Sequence, residues 1–125
     1  MNDLITGVDH PAIAAMDPRI LAEWYCFHLG YTVHFDNVAE STLILKAADG
    51  SFLEIMPCDS SPRPNTTKAP GFAHLALRVK DLDAAAKRLS NAGIKVEPQK
   101  IKAQGGGFLR NFYDPEGNML QFVQR

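Results

Sequence analysis

The sequence has no excess of charge of either sign. Thirteen lysines and arginines stand against fourteen aspartates and glutamates, a formal charge of −1 in 125 residues. No Lys/Arg run occurs, so no nucleic acid and no membrane surface is expected as a partner. Long hydrophobic stretches are missing too, and none approaches the length of a bilayer span. The opening segment, residues 1–7, lacks both the basic stretch and the apolar core of a secretory signal. Cysteine is scarce: Cys26 and Cys58 lie far apart and match no zinc or redox spacing. The expectation is a cytoplasmic protein with two free thiols. What is present is ordinary: 46% hydrophobic and 22% charged residues, enough for one domain with a sizeable core.

The chain is written twice. His10 and His74 are 64 residues apart, each in an extended apolar run. Asp17 and Asp81, at the same offset, each open a helix-like segment, and Gly30 and Gly93 close them. Asp17 suits an N-cap with Pro18 at the first helical position. Ile20, Leu21, Trp24 and Tyr25 form one apolar stripe; Leu82, Ala85, Ala86 and Leu89 form the other. Strand-like alternation predicts strands near 5–14, 31–38, 41–48 and 51–57, then 72–80, 94–101, 107–113 and 118–124. The Pro- and Ser-rich stretch between reads as a linker. The expected fold is α+β: two βαβββ modules forming a curved eight-stranded mixed sheet, a cup with helices on its outer face. It forms one domain over 1–125, with module one about 1–57, linker 58–71 and module two 72–125.

Alternation also sorts the side chains, because neighbours on a strand point to opposite faces. Leu53, Ile55, Leu75, Leu77, Leu120 and Phe122 fall on the helix side. The opposite face receives one polar residue per outer or closing strand: His10, Glu54, His74 and Gln121. Two imidazoles, a carboxylate and an amide oxygen suit a first-row divalent ion. A buried carboxylate needs a metal, a cation or a hydrogen-bond donor, and Arg78 on the same face is the competing partner. Phe52, Met56 and Met119 surround these groups as substrate-contacting candidates. Gly105–Gly107 follows no strand-to-helix turn and reads as a flexible loop. His28 and His34 read as surface residues, and Trp24 and Phe27 as packing.

Gly7-Val8-Asp9-His10, Phe72-Ala73-His74-Leu75-Ala76-Leu77 and Asp114-Pro115-Glu116-Gly117-Asn118-Met119-Leu120-Gln121-Phe122 resemble the vicinal oxygen chelate superfamily over essentially the whole chain. That group includes glyoxalase I, metal-free bleomycin-binding proteins and extradiol dioxygenases. The resemblance implies metal ligands at His10, Glu54, His74 and Gln121. At Gln121 glyoxalase I carries a glutamate that can move a proton; glutamine cannot, leaving Glu54 as the acidic, catalytic candidate. The implied activity is a lyase or isomerase using Ni, Zn, Mn, Fe or Co to stabilise an enediolate of a small oxygen-rich substrate. A metal-free small-molecule-binding protein is the alternative, and an iron(II) ring-cleaving dioxygenase the third. Family members commonly pair and half-cups leave open sheet edges, so a homodimer is expected.

Overall fold

Two aspartates start the helices as the caps predict. The Asp17 carboxylate accepts from the Ile20 amide and the Asp81 carboxylate from the Ala84 amide, each satisfying a first-turn N–H that has no helical partner. The structure, a computed structural model, describes residues 4–125. In chain order the elements are β1 (Ala12–Ala15), α1 (Pro18–Leu29), β2 (Thr32–Asn37), β3 (Thr42–Lys46) and β4 (Phe52–Pro57). Then follow β5 (Leu75–Arg78), α2 (Leu82–Asn91), β6 (Ile101–Lys102), β7 (Phe108–Tyr113) and β8 (Met119–Gln124). Among the described residues these two helices and eight strands make an α+β fold with two four-stranded mixed sheets. None of these helices is long and apolar enough to cross a membrane.

The chain divides into two units, Met1–Ser61 and Pro62–Arg125. In the first the strand order is β1-β4-β3-β2, with β1 parallel to β4 and the other pairs antiparallel. In the second it is β5-β8-β7-β6, with β5 parallel to β8. Helix α1 covers its sheet with Leu21, Ala22 and Tyr25, against buried Leu43, Leu45, Leu53 and Ile55. Helix α2 uses Leu82, Ala86 and Leu89, in a unit whose buried sheet residues include Phe112, Leu120 and Phe122. The expected α1 stripe is off by one position, since Ile20 is 60% exposed and Ala22 takes its place inside.

Helix α1 ends at Gly30, whose φ of 75° is open to glycine at little cost. The N–H of Leu82 at the start of α2 donates to Gln124 Oε1 at 2.6 Å, fastening that helix to the end of β8.

Three expectations are corrected. The first strand begins at Ala12 rather than residue 5, and Pro11 shows why: it has no N–H for the ladder, though its carbonyl still accepts from Glu54 at 3.0 Å. The fifth begins at Leu75, not 72. Its partner β8 starts only at Met119, because Asn118 turns its backbone N–H and carbonyl to Asp114. The sixth shrinks to Ile101–Lys102, with Val96 keeping one isolated bridge to Phe112. The Gly105–Gly107 loop is a hairpin connection held by Arg125, which donates to the Gln104 and Gly106 carbonyls at 2.7 and 2.6 Å. A side chain at Gly107 would overlap the Gln124 carbonyl.

Candidate functional site

In the first unit, Ala12 of β1 pairs with Glu54 of β4. His10, two residues before Ala12, stands just outside the strand, and its ring turns toward that carboxylate. His10 Nε2 lies 3.6 Å from Glu54 Oε2, too far for a hydrogen bond, with the two side chains 35% and 25% exposed. His10 Nδ1 is engaged by Asp9 Oδ2 at 2.7 Å. That hydrogen bond, donated to the Asp9 carboxylate, raises the His10 pKa, partial burial opposes it, and the nearby Glu54 charge adds to the rise. With Nδ1–H held by Asp9, a neutral His10 points its Nε2 lone pair at a carboxylate. Such an arrangement calls for a cation between them, either a proton on Nε2 or a metal ion.

Phe52 and Met56 share the Glu54 face of β4 by alternation; Phe52 is half-buried and Met56 exposed. A cleft lined by Val8, Asp9, Pro11, Gly50, Ser51 and Phe52 opens beside them. The β2–β3 register slips between Val33 and Phe35, making His34 the extra residue of a bulge. His34 is exposed, as expected of a surface residue, and its ring lies 4.8 Å from that of Phe52. Asp9 is the residue that pattern reading missed. Asp9 sits in the Gly-Val-Asp-His run and could have been noticed there; a bulge leaves no mark in an alternating sequence.

In the second unit, Ala76 of β5 pairs with Gln121 of β8 as Ala12 pairs with Glu54. Sheet register thus makes Gln121 the counterpart of Glu54, and His74, two before Ala76, the counterpart of His10. Gln121 is buried, at 9% exposure, whereas His74 is exposed and precedes its strand by one residue. Met119 and Arg78 lie on the Gln121 face by the same alternation, Met119 half-buried and Arg78 exposed. Across the sheet Gln121 faces Asn111 of β7, itself 7% exposed. The Asp114–Asn118 turn before β8 is built on a buried aspartate. Its carboxylate accepts from the Glu116 and Asn118 amides and from the Asn118 side chain at 2.9, 3.0 and 2.8 Å.

Within the first unit the structure brings two of the expected ligands, His10 and Glu54, together. Among the described residues no group of three or more His, Cys, Asp or Glu side chains is gathered to hold a metal ion. Cys26 is partly buried, which raises its pKa, and Cys58 is exposed; neither joins the pair.

A family model, the Glyoxalase/Bleomycin resistance protein/Dioxygenase superfamily, matches residues 7–122. The uncharacterized protein YaeR of Escherichia coli (strain K12) is 30% identical over 123 residues, which span 94% of this chain and 95% of YaeR. Among solved structures, the glyoxalase family protein from Enterococcus faecalis superposes with a TM-score of 0.73 at 28% identity, covering 97% of each chain. Lactoylglutathione lyase from Agrobacterium tumefaciens gives a TM-score of 0.74 over 98% of this chain and 96% of its own. Its identity is 16%, so that likeness is one of fold.

Proposed function

Because the chain belongs to the Glyoxalase/Bleomycin resistance protein/Dioxygenase superfamily, we propose that it is a divalent-metal-dependent lyase or isomerase of a small oxygen-rich substrate. The observation that carries this reading is the His10–Glu54 pair, an imidazole Nε2 and a carboxylate oxygen 3.6 Å apart, with Asp9 engaging the other ring nitrogen. His10 through Nε2, Glu54, His74 and Gln121 through Oε1 would hold the ion, whether Ni, Zn, Mn, Fe or Co. We also propose that the protein is a homodimer.

When bound, the ion supplies Lewis acidity, stabilising negative charge that grows on a substrate oxygen as a neighbouring proton leaves. Glu54 is the acidic group of the set and would be ligand or base, taking that proton on a carboxylate oxygen only where it lets go of the ion during turnover. Gln121 binds without exchanging protons. Arg78 offers its guanidinium to an anionic part of the substrate, while Phe52, Met56 and Met119 exclude water around the reacting atoms. The cell compartment consistent with this chemistry and with free cysteines is the cytoplasm.

Thermal melting tests the reading. Nickel or zinc in excess over chelator-stripped protein should raise Tm, since an ion that binds only the folded state stabilises it. No shift with any of the five ions would overturn it and leave a metal-free small-molecule-binding protein. The methylglyoxal–glutathione hemithioacetal should be turned over slowly by the loaded wild type and faster by Gln121→Glu.

A further inference from the structure

We propose that Asn111 is a positioning residue that decides which end of the Gln121 amide meets the metal. This inference rests on the reading of Gln121 as a ligand. An amide coordinates through its oxygen, because its nitrogen has no free lone pair, so Gln121 must present Oε1 and park Nε2–H₂ on an acceptor. Asn111 is the residue directly opposite Gln121 in the antiparallel β7–β8 register, so the two side chains share a face within reach of each other.

Asn111 is 7% exposed, and its Oδ1 is a buried side-chain oxygen with no hydrogen-bond partner among the described residues. A buried acceptor left unpaired is costly and calls for an explanation. A Gln121 Nε2–H turned toward it would satisfy both amides and aim Oε1 away, as outer-shell partners do for other metal ligands. The first unit supplies the contrast. There the residue opposite Glu54 is Ile44, which offers no hydrogen bond, and a carboxylate with two equivalent oxygens has no wrong end to present. The polar neighbour stands beside the amide and the apolar one beside the carboxylate.

A double-mutant cycle read by zinc titration of the chelator-stripped full chain tests this. Asn111→Leu should weaken zinc binding about 10- to 100-fold in the Gln121 background. In the Gln121→Glu background the same change should cost less than about threefold, since the two residues would no longer be coupled. Equal losses in both backgrounds would mark Asn111 as merely structural and overturn the inference, as would wild-type affinity in Asn111→Leu. Should the leucine variant fail to fold, Asn111→Ala enters the same cycle with the same expectations. If wild-type protein binds no zinc, nickel or other divalent ion, the metal reading falls and this inference with it. If wild type binds and Asn111→Leu matches it, only this inference falls.

Discussion

The two units run the same construction with different chemistry at one address. Each starts a helix with an aspartate cap and lays its first strand parallel to its fourth. Each also sets an alanine of that first strand, Ala12 or Ala76, beside a long polar side chain, Glu54 or Gln121. Around that address the halves diverge. The first pairs its carboxylate with an imidazole that a second carboxylate holds, and flanks it with Ile44. The second buries a neutral amide and flanks it with another. Duplication explains the shared frame, and at this address one copy carries a carboxylate and the other a neutral amide.

Substitutions in the two cores should have the largest effects and should match. Leu45 and Phe112 occupy equivalent register positions, opposite Leu53 and Leu120, and both are fully buried. Leu45→Ala should cost about 2–5 kcal/mol and Phe112→Ala about 3–5 kcal/mol of unfolding free energy in urea titrations. A loss under about 1 kcal/mol at either would break the equivalence. The turns before the closing strands should instead differ. Asp114 is buried under three hydrogen bonds, while Asp49 is exposed and accepts from the Ser51 amide and hydroxyl. Asp114→Ala should cost about 2–3 kcal/mol and Asp49→Ala about 1 kcal/mol or less. Equal costs would show that burial of the carboxylate is not what distinguishes them.

A smaller effect sharpens the acidic half. Asp9→Asn should weaken metal binding about tenfold by loosening the His10 ring. His10 must shed its proton to bind a metal, and the hydrogen bond that it donates to Asp9 is the main reason its pKa is raised. Removing it lowers that pKa, so the acidic limb of the affinity–pH profile should move to lower pH. A limb that stays in place would mean that another group limits binding.

Both helices, their caps and the repeat were legible because each rests on local chemistry: Asp17 and Asp81, Pro18, Gly30. The faces of β4 and β8 were legible because alternation survives wherever one side packs under a helix. Pairing was not, because register depends on partners far along the chain. Pro11 and the Asp114 turn delay two strand starts, and the bulge at His34 leaves no mark in the pattern, though it sets that ring 4.8 Å from Phe52. Asn111 went unnoticed because a lone asparagine in a strand carries no period, and its unpaired oxygen exists only after β7 meets β8.

The proposal most worth breaking is that His10, Glu54, His74 and Gln121 are ligands of one ion. Its most direct test is equilibrium dialysis of zinc against wild type, His10→Ala, His74→Ala and His28→Ala, with the ion counted per chain. One ion per chain is expected for wild type and His28→Ala, with affinity lost by large, similar factors in both His10→Ala and His74→Ala. Full binding by His74→Ala, or two ions bound independently by wild type, would contradict it.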